Sequence, residues 1–231
     1  MSNVQTKLPT DARVWVQATW DEYIQTVGQQ EDAKCYYYNG QIRIEMAPQG
    51  YDHSYDNFSI GYAVALFCGI QDIPLVGLTN CTFQKAGEGE AQPDLAFYIG
   101  ANAEIIPPDT TIVDLDVYPP PDLVIEIAKT SFADDIGSKR MLYEQLNFTE
   151  YWVVNVHNAQ LIAFAIASGG SRAIYRSQVL PPLPFSLLSE ALRLSYPETP
   201  TPAWALSDTS RTTGRSQIYA WLITQIQNLD D

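Results

Sequence analysis

Basic residues are scarce in this sequence: 13 Lys and Arg stand against 27 Asp and Glu, giving a net charge of −14 with the two His neutral. Binding along nucleic-acid phosphates normally rests on clustered Lys and Arg, so this balance weighs against a broad electrostatic footprint. Cysteine is equally sparse. Cys35, Cys68 and Cys81 are odd in number and lack metal-ligand spacing, which argues against a disulfide framework and leaves buried free thiols as the expectation. No apolar run approaches the ~18 to 20 residues needed to span a bilayer, and YAVALFCGI (62–70) suits a core helix. The first residues, MSNVQTKLPTDARVW, have no basic-then-apolar leader pattern, so a cytoplasmic protein with no membrane partner is expected.

What is present suits an ordered protein. Hydrophobic residues make up 46% of the 231-residue chain and charged residues 17%, values of a folded domain rather than a disordered segment. The length accommodates one elaborated domain: a main body over 1–195, with a Pro-rich segment and C-terminal helix (196–231) packed on it.

Local patterns outline the elements. Thr19 and Glu22 form a capping box opening a helix that ends at Gly28. KCYYY and QIRIEM, separated by Asn39-Gly40, predict a hairpin with a two-residue turn. Glu45 alternates with Ile44 and Met46, which places it on an exposed sheet face, and the CYYY aromatics suit strand propensity better than base stacking. Apolar periodicity predicts a helix over about 54–67. VGLTNCTFQ (76–84) and PDLAFYI (93–99) read as strands joined by a Gly-rich loop, followed by a turn-rich stretch to Pro121. After a strand in DLVIEIA comes a helix from about Asp134. YWVVNV, QLIAFAIA and RAIYRSQVL read as three further strands, the first two joined by a tight turn holding a solvent-facing His157. A final helix covers 216–229. Helices and strands alternate early and strands cluster late, so the class is α/β (α+β), a mixed β-sheet flanked by helices.

One residue breaks the logic of its strand. In PDLVIEIAK (121–129) Glu126 sits among Leu123, Val124, Ile125 and Ile127. Strand alternation puts Asp122, Val124, Glu126 and Ala128 on one face and Leu123, Ile125 and Ile127 on the other. A buried carboxylate without a cation, a metal or strong hydrogen bonds costs several kcal/mol; a plain salt bridge or a water-facing edge strand would also account for it. In the following helix, about 100° per residue puts Asp135, Lys139, Leu142 and Leu146 on one stripe with Tyr143 beside it. Lys139 is therefore a candidate partner for Glu126, or else it snorkels and pairs only with Asp135. Asp94, in the earlier PD, offers a second carboxylate. If the two PD strands are neighbours, Asp94 and Glu126 could share one Mg²⁺ or Mn²⁺, since hard ions take one or two carboxylates plus water and substrate phosphate. Such a site fits phosphodiester hydrolysis, with the lysine stabilising charge or orienting the nucleophile.

These motifs, in the order PD, PDLVIEI, a helix with D-x-x-x-K and then NFTEYWVVN, with IEMAPQGYDHS upstream, resemble the Uma-type restriction endonucleases, a domain family within the PD-(D/E)XK nuclease-like superfamily. The resemblance runs from about Thr19 to Leu194. It implies a restriction-endonuclease-like core, a DNA substrate and a homodimer, with Asp94 and Glu126 at the metal-binding positions. The usual lysine, two residues after the Glu, falls at Ala128, so the motif is broken; Lys139 matches the lysine that the next helix supplies in this family, with Lys129 second. His53 matches a recurrent polar position near the site. Asn155 stands where the family often has Asp, a change expected to affect the turn more than the chemistry. Two alternatives stay open beside a metal-dependent nuclease. One is a catalytically inactive nuclease-like binding module, suggested by Ala128 and the acidity. The other is a two-carboxylate glycosidase, in which Lys139 would have no task.

Overall fold

The computed structural model describes residues 14–29, 33–46, 50–181, 183–195 and 217–229. Six helices and twelve strands are described. The chain opens with β1 (Val16–Gln17), α1 (Trp20–Val27), and the hairpin β2 (Ala33–Tyr38) and β3 (Gln41–Met46), followed by the long α2 (Tyr51–Ile70). Then come β4 (Leu75–Thr79), β5 (Phe83–Lys85), β6 (Gly89–Ala91), β7 (Leu95–Ile99), β8 (Val113–Asp114) and β9 (Leu123–Ala128). A helical segment follows as α3 (Phe132–Asp134), a wide π turn over Asp135–Lys139 and α4 (Arg140–Gln145). The last elements are β10 (Glu150–Asn155), β11 (Gln160–Ala167), β12 (Gly170–Ile174), α5 (Phe185–Ser195) and α6 (Ile218–Gln227).

The strands form two mixed sheets, where the sequence pattern suggests one. The central sheet has the order β12-β11-β10-β9-β7-β4, with β9 and β10 parallel and the other pairs antiparallel. The smaller sheet has the order β1-β3-β2-β6-β5-β8. The single strand expected over 76–84 is split because Asn80 adopts a positive φ of 52°, a conformation Asn tolerates better than most residues; β4 stays in the central sheet and β5 crosses to the other. The expected strand over 172–180 stops at Ile174, and the loop between β5 and β7 contains the short strand β6.

Each face of the central sheet has its own cover. Leu95, Phe97, Leu123, Ile125, Ile127, Trp152 and Val154 pack against α2, α5 and α6. On the opposite face, Ala96, Val124, Ala128, Tyr151, Val153 and Phe164 meet Leu142, Tyr143 and Leu146 of the α4 segment and Tyr36, Phe83 and Ala91 of the smaller sheet. The other side of the smaller sheet closes on α1 through Tyr23, Cys35, Tyr37, Ile42 and Ile44. Cys35 and Cys68 are buried and all three thiols are free, as expected. The chain boundary expected at 195/196 and the Pro-rich stretch lie outside the described residues. No described helix is long and apolar enough to cross a membrane.

Several local predictions hold. The capping box at Thr19 and Glu22 is formed in both directions. Asn39 and Gly40 both take positive φ, 49° and 70°, the requirement of the hairpin turn whose twist matches its strands. That turn sets the register, placing Lys34 opposite Glu45 and Tyr36 opposite Arg43.

Candidate active site

The two PD strands are neighbours. β7 runs antiparallel to β9 with Leu95 opposite Ile125, so one step further along the register Asp94 lies opposite Glu126, and directly opposed residues share a face. That face is the one covered by the smaller sheet and the α4 segment. The carboxylates therefore lie between two sheets, where a polar side chain persists only with partners.

Asp94 is buried and has three partners. Its Oδ1 pairs with the Lys34 ammonium, its Oδ2 accepts the Ile127 N–H at 2.8 Å, and His53 Nε2 lies 3.4 Å from Oδ2. Burial alone would raise its pKa, but the Lys34 ammonium and the His53 ring together hold the carboxyl well below the usual range. His53 Nδ1 is buried with no hydrogen-bond partner among the described residues.

Glu126 is only 2% exposed and its environment acts in the opposite direction. Oε1 accepts the Tyr143 hydroxyl at 2.7 Å, and Lys139 Nζ is 3.6 Å away. Burial dominates and pushes the carboxyl up to about 8; the Lys139 charge opposes this, while the neighbouring Asp94 and Asp135 charges reinforce it. The site thus holds one acid that is ionised across the ordinary pH range and one that carries its proton near neutrality.

Lys139 is turned inward at 1% exposure. Its ammonium lies 3.1 Å from Glu45 Oε1, 3.2 Å from Asp135 Oδ1 and 4.5 Å from the centre of the Tyr36 ring. Burial opposes its charge, but Glu126, Asp135 and Glu45 more than compensate and hold its pKa well above the ordinary lysine value. The π turn carries both Asp135 and Lys139; its Gly137 has non-helical angles (φ −106°, ψ −106°), and such wide turns recur at functional sites. Ser131 Oγ donates to Asp135 Oδ2 at 2.6 Å and Tyr151 donates to the Asp135 carbonyl at 2.9 Å, fixing the turn.

The hairpin contributes more than its pattern suggests. Glu45 does not lie on an exposed sheet face: the hairpin face that carries Lys34, Tyr36, Arg43 and Glu45 is the one covered by the central sheet. Glu45 accepts from Arg43 Nε at 2.8 Å as well as meeting Lys139. Burial opposes its ionisation, but Lys139 and Arg43 prevail and hold its pKa below the usual value. Arg43 also lies 3.2 Å from Asp134 Oδ2. The alternation in AKCYYY and QIRIEM, combined with the Asn-Gly turn, already opposes Lys34 to Glu45. What the pattern lacked was the second sheet above that polar face.

The structure thus brings Asp94, Glu126, Lys139 and His53 together and adds Lys34, Glu45 and Tyr143. Lys129 stands apart, its half-exposed side chain pairing with Asp52 at 3.2 Å. Asp122, the acid of the second PD, is a brace: its carboxylate accepts the Ile99 N–H at 2.7 Å and the Asn102 amide at 2.9 Å. Asn155 accepts the His157 N–H at 3.1 Å, a turn contact, and His157 is exposed.

Residues 20–196 match the model of the Uma2 family, described as putative restriction endonuclease. The chain belongs to this family. A crystal structure of a putative nuclease belonging to DUF820 from Anabaena variabilis ATCC 29413 is similar, with a TM-score of 0.48 and 15% identity over 88% of this chain and 98% of that one. No curated protein matches the chain. Among the described residues no three His, Cys, Asp or Glu side chains converge as a ready metal cage. The donor set still suits a hard cation that keeps several waters: two opposed carboxylates supply oxygen ligands, and Mg²⁺ is commonly held by one or two of these.

Proposed function

We propose that this Uma2-family protein is a nuclease that hydrolyses DNA phosphodiester bonds with Mg²⁺ or Mn²⁺ held by Asp94 and Glu126. The observation that carries the proposal is the burial of these two acids opposite one another on β7 and β9, with the Lys139 ammonium 3.6 Å from Glu126. A bound divalent ion would polarise a phosphoryl oxygen and lower the pKa of a coordinated water. The chain's own contribution is to hold the acids in place. The Ile127 N–H and His53 fix the Asp94 carboxylate, while Tyr143 orients Glu126 and Lys139 supplies positive charge beside it. The family resemblance supports a homodimer, in which the few basic groups of two chains would gather along one groove and offset the net charge of −14.

A catalytically inactive binding module is the second reading, favoured by Ala128, a buried apolar residue in place of the motif lysine. Cleavage assays on supercoiled plasmid and on single- and double-stranded oligonucleotides separate the two. The nuclease reading expects cleavage with Mn²⁺ or Mg²⁺, none with EDTA, and loss in Asp94→Asn and Glu126→Gln. Intact substrate at high enzyme concentration, or equal cleavage by wild type and Glu126→Gln, would support the inactive reading or remove Glu126 from the chemistry.

A further inference from the structure

The site contains two lysines, and their surroundings differ. A lysine ammonium has three N–H donors and no acceptor. The Lys139 ammonium donates to Glu45 and is ion-paired with Glu45, Asp135 and Glu126 within 3.6 Å, with its charge over the Tyr36 ring, and its side chain is 1% exposed. An ammonium paired with three carboxylates on a side chain only 1% exposed is closed to an incoming phosphate. Its geometry is that of a charge that keeps several buried acids together.

Lys34 is placed differently. Asp94 is its one ion-pair partner among the described residues, and its side chain is 11% exposed. The carboxylate it meets does not depend on it alone, since the Ile127 N–H and His53 also hold Asp94. Lys34 projects from β2 on the face it shares with Tyr36 and, across the hairpin, Glu45.

From this contrast we propose that Lys34, on the hairpin, is the lysine that contacts the substrate phosphate, and that Lys139 is a positioning residue holding Glu126, Glu45 and Asp135. The assignment rests on the nuclease reading above. A phosphate oxygen beside Asp94 would take the donors that Lys34 does not spend on the carboxylate, and this charge-assisted contact strengthens as negative charge develops on the phosphoryl group. It also removes the difficulty of the broken motif. The lysine missing at Ala128 is supplied across the sheet interface by β2, from a position 60 residues before Asp94, so the site needs none on β9.

The test uses the full chain with Lys34→Met, Lys34→Arg and Lys139→Met, checked first by thermal melting. A fluorescein-labelled 20-nucleotide DNA probe is followed by anisotropy in EDTA and by cleavage in Mn²⁺, while calorimetry measures Mn²⁺ affinity. The expected result is that Lys34→Met, which takes one of three partners from Asp94, melts below wild type but less so than Lys139→Met, and binds Mn²⁺ at least as tightly, because a competing cation beside Asp94 is gone. It binds the probe more weakly and loses on the order of 100-fold in kcat, with partial recovery in Lys34→Arg. Lys139→Met shows its main effect in the melt. Cleavage by Lys34→Met within 3-fold of an active wild type would overturn the Lys34 assignment and leave the nuclease reading standing. A wild type that neither binds nor cuts the probe would overturn both.

Discussion

Replacing Glu126 with glutamine is expected to stabilise the metal-free protein at neutral pH. The Glu126 carboxyl is raised from an ordinary 4.5 to about 8, chiefly by burial. Below about pH 4.5 the acid is protonated in both folded and unfolded chains and contributes no difference. As pH rises toward 8 the unfolded chain releases this proton and the folded one retains it, so unfolding becomes easier by ~1.4 kcal/mol per pH unit. The penalty reaches about 1 kcal/mol at pH 5 and about 3 kcal/mol at pH 7. Glutamine does not titrate and its side-chain oxygen can still accept the Tyr143 hydroxyl that now binds Glu126 at 2.7 Å. Urea denaturation in EDTA is expected to show Glu126→Gln more stable than wild type by about 1 kcal/mol at pH 5 and by about 3 kcal/mol at pH 7. Saturating Mn²⁺ should then close the gap by stabilising wild type alone, by about 2.7 kcal/mol at a hundred times the dissociation constant. A variant less stable than wild type at pH 7, or a difference unchanged between pH 5 and 7, would mean that Glu126 is ionised and that its pairing with Lys139 outweighs burial.

Asp94→Asn has the opposite pH signature. The native carboxyl is depressed, so its contribution is present above the unfolded value near 4 and fades as pH falls; the variant should lose about 3 to 5 kcal/mol at pH 7 and less toward pH 3, read by chemical denaturation. Lys139→Met strips the shared counter-charge from Glu126, Glu45 and Asp135 and is expected to lower stability by about 3 to 5 kcal/mol in the same assay. Gly89→Ala would place a Cβ 3.1 Å from Leu142 Cδ1 and Leu146 Cδ2 and 3.3 Å from the Tyr37 carbonyl oxygen; pressing the α4 segment off β6 should cost about 1 to 3 kcal/mol. Thr19→Ala removes the hydroxyl that accepts the Glu22 N–H, and a loss of about 1 kcal/mol is expected by thermal melting.

The parts of the fold written in short-range chemistry were legible in the sequence. The Thr19–Glu22 capping box, the Asn39-Gly40 turn and the parity of PDLVIEI each depend on a few adjacent residues. The pairing of Asp94 with Glu126 was accessible because two similar strand openings suggested a common neighbourhood, and the helical stripe turned Lys139 inward. What escaped depends on contacts between distant segments. Nothing near Asn80 announces that β5 leaves one sheet for another, so the strand pattern alone suggests a single sheet. Without the second sheet the hairpin's polar face has no cover, and alternation alone places Glu45 at the surface. Lys34 is illegible for the same reason, since a lysine beside aromatic strand residues has no visible partner until Asp94 is brought to it across 60 residues of chain. Asp122 shows the converse: its motif matches that of Asp94, yet its place one strand position past the β7–β9 pairing makes it a brace for Ile99 and Asn102.

A crystal soaked in Mn²⁺ and measured at the metal's absorption edge tests the central claim most directly. The account predicts one anomalous peak within coordination distance of both Asp94 and Glu126 carboxylates, with Lys139 still enclosed by Glu45 and Asp135, and no such peak in Glu126→Gln. Density without a metal between the two acids, or a metal bound elsewhere with equal occupancy in that variant, would contradict it.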